Sequence, residues 1–151
     1  MGNFGEDFIA DYHEITNVLK DSSVNIGGFL LNITYHDEDI EIEFPQINSI
    51  YTHMLGHDCH SIVAGEAHAN VIIEQLKGYK EKGYNLILSS HYVPENLNDV
   101  DTKISYLEDL KVIAKNSNGK EDFVNNVKSK YPNYTGLNYL DMTAGYFFPE
   151  N

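Results

Sequence analysis

Several residue types that mark particular classes of protein are scarce in this 151-residue chain. It has a single cysteine, which excludes an intramolecular disulfide. Lysine and arginine together number 10 against 23 acidic residues, and the formal charge of −13 repels phosphate backbones and anionic membranes. No apolar run is long enough to span a bilayer, and no signal-peptide pattern opens the chain. We therefore expect a soluble, cytoplasmic protein that binds neither nucleic acid nor membranes.

The chain has enough apolar residues to build a core. They make up 42% of the sequence, and the length suits one domain, which we take as residues 1–151. Tryptophan is absent, but there are 11 tyrosines and 7 phenylalanines. Many of the tyrosines should lie partly buried, with the ring inward and the hydroxyl at the rim of the core.

The hydrophobic pattern predicts strands first and helices later. Residues 40–44 alternate apolar and acidic side chains, which is typical of a half-buried strand. Gly83 is a C-cap candidate for the first long helix, and Asp99 or Asp101 is an N-cap candidate for the second. The order indicates a mixed α/β domain. Strands are predicted around 28–35, 39–44, 47–52 and 85–90, and helices within the first 23 residues, over 64–82, about 101–115 and about 120–131, with 137–148 either helix or loop.

Most of the side chains suited to chemistry lie in two short stretches. Residues 51–60 read YTHMLGHDCH, and the apolar run 85–90 ends at another histidine. Imidazole is the commonest metal ligand in proteins, and zinc accepts histidine together with a carboxylate. This pattern favours a site for zinc or another divalent metal. Its candidate ligands are His53, His57, Asp58, His60 and His91.

The same residues also suit a polar loop without a metal. In that alternative the histidines are hydrogen-bonded, and nearby carboxylates of this acidic protein raise their pKa values. Cys59 offers a thiolate to a metal, but beside the alternating ligands it should point the other way. We assign His68, on the first long helix, a structural role.

Residues 47–148 resemble the C-terminal half of metallo-β-lactamase-fold hydrolases. The resemblance depends on INSIYTH at 47–53, His60, and LILSSH at 86–91, followed by TKISYL at 102–107. Weaker matches follow in the helical tail, at Pro94, residues 121–124 and residues 130–132. The resemblance implies half of an αββα sandwich, with one sheet covered by helices, and it implies that His91 is a strand-end zinc ligand.

The chain departs from that family in its metal-binding motifs. The family signature H-x-H-x-D-H is absent, and no two histidines are spaced H-x-H. The bridging aspartate of the family follows a glycine at a strand end, a place that Thr52 and His53 take here. Alternatively, residues 56–58 are the shifted equivalent, and Asp58 is the surviving carboxylate.

The resemblance implies a metal-dependent hydrolase-like domain that lacks half of the usual site. His91, His60 and either Asp58 or His53 would hold a metal that lowers the pKa of bound water toward ~7. The substrate would be a small ester, thioester, lactone or phosphoester. The alternative is a non-catalytic domain that binds a small molecule or a partner chain. Half of a sandwich leaves one sheet face apolar and bare, so we expect a homodimer, or a partner chain, to cover that face.

Overall fold

Five strands form one sheet in the part of the chain that the structure describes. The structure is a computed structural model, and it describes residues 19–36 and 39–149. Strands that follow each other in sequence also lie side by side, in the order β1-β2-β3-β4-β5. The first three pairings are antiparallel, and only β4 and β5 run parallel. The strands are β1 Ser23–Ile26, β2 Phe29–Tyr35, β3 Ile40–Phe44, β4 Ser49–Thr52 and β5 Leu86–Ser89.

The longer helices begin with the connection between the two parallel strands. Parallel neighbours need a crossover segment, and the first helix supplies it between β4 and β5. No helix of the described residues is long and apolar enough to cross a membrane. The helices are α1 Gly65–Lys82, α2 Leu97–Asn116, α3 Lys120–Lys130 and α4 Leu137–Phe147.

Strand β1 is absent from the sequence prediction, whose first strand is 28–35. Gly27 and Gly28 have φ angles of 59° and 90°, which side chains other than glycine rarely adopt. Two such residues form the tight turn of a hairpin, and the Asn25 side chain accepts a hydrogen bond from the Gly28 N–H. The turn therefore pairs residues 23–26 with β2 as an additional edge strand.

The predicted end of α1 is confirmed, whereas the predicted start of α2 is wrong. Gly83 has a φ of 67° and closes α1, as predicted. Helix α2 begins earlier than the predicted residue 101, because Asn96 is its N-cap. Asn96 accepts from the Asn98 N–H, while Asp99 accepts from the Asn96 N–H, so the proposed caps Asp99 and Asp101 were wrong. The predicted N-terminal helix lies mostly within residues 1–18, outside the described residues.

The helices pack on one face of the sheet, and the core lies between them. Ile50 of β4 and Ile87 of β5 are direct partners on that face, with 3% and 0% of their surface exposed. They belong to the same hydrophobic cluster as the buried side chains of all four helices. The fold class is therefore the predicted one, a mixed α/β domain whose sheet is covered by helices on one face.

The opposite sheet face is apolar in β1, β2 and β3. Ile33 and Ile42 are direct partners on this face, which alternates with the one that carries Ile50. Phe29 and Tyr35 share it with Ile33 and are 53% and 50% exposed. The side chains that α1 contacts on β3, such as Glu41, point to the opposite face. What covers this face stays a prediction.

Candidate functional site

The carboxyl ends of β4 and β5 lie side by side and open into a cavity. Parallel strands end at the same edge of a sheet, so the segments that follow them meet there. The cavity has a volume of about 450 Å³. Its wall combines apolar side chains of the segment after β4 and of α1 with polar groups. Among the histidines of the described residues, those that line it are His53, His60, His68 and His91.

His53 and His91 form a pair at the mouth of the cavity. Their ring centroids are 5.0 Å apart, and the ring planes meet at 76°. The pairing follows from the strand register, because His53 directly follows β4 and His91 lies two residues beyond the end of β5, its parallel neighbour. Two bonds between the strand ends hold it: the Ser90 N–H donates to the His53 carbonyl over 3.2 Å, and the Tyr51 and Ser90 hydroxyls are hydrogen-bonded. Both histidine side chains are exposed to solvent.

His57 lies away from the cavity wall and is hydrogen-bonded to a carboxylate that sequence reasoning missed. Its Nδ1 is 2.9 Å from Glu95 Oε1 and 3.5 Å from Asp99 Oδ1. Glu95 is 2% exposed and also accepts from the backbone N–H groups of Gly56 and His57. Buried carboxylates need such donors. His57 and Glu95 therefore hold the loop between β4 and α1 in place.

His60 is fully buried, unlike the His53–His91 pair. Its Nδ1 is 2.9 Å from the Tyr106 hydroxyl, and its ring packs 5.6 Å from the Tyr134 ring. Burial, assisted by the positive charge of Lys103, lowers the pKa of His60 to about 4. A polar cluster among carboxylates was expected to raise the pKa of these histidines, and for His60 that expectation was wrong. The Nε2 atom of His60 is buried without a hydrogen-bond partner among the described residues.

Lys103 is a buried cation of the site and is not among the site residues predicted from the sequence. Its ammonium donates to the carbonyls of Gly56 at 2.9 Å and Cys59 at 2.8 Å. Burial lowers the pKa of Lys103 to about 8. A signal for this lysine was present in the sequence, because it shares helical spacing with the buried Val100, Leu107 and Leu110 of α2.

Asp58 and Cys59 do not line the cavity. The Asp58 carbonyl accepts from the Thr135 N–H, and its Oδ1 is buried without a partner among the described residues. The Cys59 thiol is buried and donates to the His60 carbonyl over 3.3 Å. The turn before α4 needs a glycine here, because a Cβ on Gly136 would lie 2.8 Å from Cys59 Sγ.

The predicted metal ligands do not converge in this arrangement. Of the five, only His53, His60 and His91 line the cavity. Across residues 19–36 and 39–149, no three histidine, cysteine, aspartate or glutamate side chains are placed to hold a metal ion together. A zinc site needs at least three protein ligands, so the described residues alone do not fit zinc. The ligand set as a whole stays a prediction.

Comparisons with known proteins bear on the fold. No protein-family model matches the chain, and no curated protein matches it. Among solved structures, a double mutant of the sec-alkyl sulfatase PisA1 is similar, with a TM-score of 0.54 and 15% identity. The match covers 85% of this chain but 26% of that one, so this chain spans about a quarter of the sulfatase's length. The similar structure has a metallo-β-lactamase fold, and the described residues of this chain have part of that fold.

Proposed function

We propose that this chain is a hydrolase-like domain of the metallo-β-lactamase fold and that the His53–His91 pair is its metal-binding element. The observation that supports the proposal is the placement of two imidazoles, 5.0 Å apart, after adjacent parallel strands. In open parallel α/β sheets, ligands bind in the crevice outside the carboxyl ends of the strands, and β4 and β5 are the parallel pair of this sheet. Exposure supports it as well, because both rings are open to solvent and to an arriving ion.

The pair is one part of a site. A catalytic zinc has three protein ligands, and two imidazoles leave that set incomplete. We propose that the remaining donors come from a partner polypeptide that carries the missing histidine-rich motif. The length ratio agrees with this, since the similar sulfatase is about four times as long as the segment that it shares with this chain.

The cavity supports a small substrate. Its volume of about 450 Å³ is within the roughly 300–1,000 Å³ of typical ligand pockets. Leu55 and Ile72 give it an apolar wall next to the histidine pair. We propose a small ester, thioester, lactone or phosphoester as the substrate class.

Metal titration tests the proposal directly. Untagged protein, stripped with chelator and dialysed, is titrated with Zn²⁺ or Co²⁺ by calorimetry, and the loaded protein is examined by elemental analysis. Because the pair is an incomplete ligand set, we expect weak binding by the chain alone, which His53→Ala and His91→Ala each remove by leaving a single imidazole. His36→Ala is the matched control, since that ring lies beside Glu41 and does not line the cavity. Its affinity should equal that of the unmodified chain.

Two results would count against the hydrolase. One is an absence of metal binding, and the other is binding that neither His53→Ala nor His91→Ala weakens. Either result would leave a non-catalytic domain that binds a small molecule or a partner chain.

A further inference from the structure

The cavity has a second polar region, at its inner wall. His60 and Lys103 line it and are 0% and 2% exposed. We call these two side chains the inner pair. Hydrogen bonds account for part of their polar surface only, because His60 Nε2 has no partner among the described residues. A buried donor or acceptor without a partner costs about 1–3 kcal/mol, so this atom indicates that a ligand group is missing.

The protonation state of His60 follows from its neighbour. Burial raises the pKa of the Tyr106 phenol, so Tyr106 keeps its proton. Its oxygen accepts from the Ser61 backbone N–H, and His60 Nδ1 is the acceptor found for its O–H. If Nδ1 carried a proton, the phenol O–H and Nε2 would both lack a partner. If the phenol donates to Nδ1 instead, Nε2 alone lacks one. The second arrangement leaves fewer unsatisfied groups, so Nε2–H is a donor.

One N–H group of the Lys103 ammonium also lacks a hydrogen-bond acceptor among the described residues. An ammonium has three protons, and two of them are donated to the carbonyls of Gly56 and Cys59. No third acceptor is found for Lys103 among residues 19–36 and 39–149. The nearby Glu95 is occupied by the backbone N–H groups of Gly56 and His57, and Asp58 is the other carboxylate that acts on Lys103. The Lys103 ammonium also lies 5.1 Å from the centre of the Tyr106 ring. The inner pair therefore offers two N–H donors and a positive charge that these two carboxylates partly balance.

We propose that the inner pair binds the carboxylate of a small organic acid whose apolar part lies along the cavity wall. Two donors match the two oxygens of a carboxylate, whereas a phosphoryl or sulfate group has more oxygens to satisfy. Asp39 at the same cavity disfavours a second negative charge on the ligand. Met54, Leu55 and Leu76 supply the apolar wall. This site does not depend on the proposed metal at the His53–His91 pair.

The test uses metal-free protein and a series of linear carboxylates. Acetate, butyrate and hexanoate are titrated by calorimetry, with hexanamide, inorganic phosphate and sulfate as comparison probes. We expect affinity to rise about fourfold for each added methylene that the wall buries. Hexanamide, phosphate and sulfate should bind more weakly than hexanoate. Tighter binding of phosphate or sulfate, or affinity independent of chain length, would overturn the proposal.

A spectroscopic measurement identifies the atom involved. Imidazole ¹⁵N spectra of the unmodified protein should show His60 protonated at Nε2, and hexanoate should shift that resonance while leaving His57 unchanged. A His60 resonance that does not move at saturating hexanoate would overturn the proposal. So would a shift confined to His53 and His91, because it would place the carboxylate at the mouth.

Variants separate donor chemistry from packing. His60→Leu removes the donor, and we expect hexanoate affinity to fall about tenfold. His60→Gln keeps an amide N–H near the position of Nε2 and should retain more affinity than the leucine variant. His36→Ala, outside the cavity lining, is the matched control and should bind as the unmodified protein does. Folding is checked by circular dichroism, and the spectra of the unmodified protein decide the question if His60→Leu does not fold. Loss of metal binding in His91→Ala with unchanged hexanoate affinity would separate this site from the proposed metal element.

Discussion

The two halves of the sheet use the same alternating pattern in opposite ways. In β4 and β5, the face toward the helices is apolar, with Ile50 and Ile87 in the core. In β2 and β3, the face toward the helices carries Asn32, Glu41 and Glu43, while the apolar side chains point away. The half that contains β4 and β5, which we call the cavity half, therefore builds the core. The half that contains β1, β2 and β3, which we call the hairpin half, presents an apolar surface.

The candidate site and the hairpins lie in different halves of the sheet, and they are supported by different contacts. The loops after β4 and β5 are held by buried polar groups, of which Lys103 and Glu95 make two bonds each to loop backbone. In the other half, Glu41 accepts hydrogen bonds from Gln75 and Tyr79 of α1 at the edge of the helical layer. The buried hydrogen bonds that fix loop backbone are thus concentrated beside the cavity.

The same truncation should have different costs in the two halves. Ile87→Ala removes a fully buried side chain and should lower the free energy of unfolding by about 3–4 kcal/mol. Ile40→Ala, at a position 38% exposed, should cost about 1 kcal/mol or less. Urea unfolding of both variants measures the contrast. Equal costs would show that the apolar face of β3 is as well packed as the core.

Acid should destabilise the cavity half through His60. Its pKa is about 4 in the folded chain and 6.5 in the unfolded one, so the unfolded state binds more protons between these values. The free energy of unfolding contributed by neutral His60 is therefore present above pH 6.5 and is lost as pH falls toward 4, by about 3 kcal/mol. Thermal melts across this window should show a shallower slope for His60→Gln than for the unmodified protein.

Val71→Ala is the control for that measurement, because this exposed substitution on α1 leaves every titratable group in place. Its slope should match the unmodified protein. If His60→Gln leaves the slope unchanged, acid destabilisation comes from the carboxylates and not from this histidine.

The apolar face of the hairpin half should mediate self-association. Ile26 and Phe29, both more than half exposed, are paired across β1 and β2 on this face. We predict that the unmodified chain is a dimer by light scattering and that Phe29→Lys is a monomer, because a buried lysine disrupts an apolar interface. Phe29→Lys should change the free energy of unfolding of the monomer by no more than about 0.5 kcal/mol. Val71→Lys, at an exposed position on α1, is the control and should stay dimeric. A monomeric unmodified protein over a wide concentration range would contradict this prediction.

Local signals predicted most of the elements. Alternation located β3, Gly83 located the end of α1, and the apolar run before His91 located β5. The last helix, left open between helix and loop, is formed from Leu137 to Phe147. These features depend on neighbouring residues in the chain, so they can be read in order. The one missed strand, β1, is only four residues long, too short for its alternation to stand out, and the Gly27-Gly28 turn pairs it with β2.

Some features of the candidate site were likewise predicted from the sequence, and others depend on tertiary contacts. The sequence by itself identified the histidines and placed His53 and His91 after strands, and the parallel pairing of β4 and β5 then brings those two together. Only the tertiary structure decided that His57 is bonded to Glu95, that His60 is buried against Tyr106, and that Lys103 supports the loop. Those partners are 38 to 47 residues apart in the chain. Contacts over such separations depend on how the helices close over the sheet, and no local pattern of residue types specifies that packing.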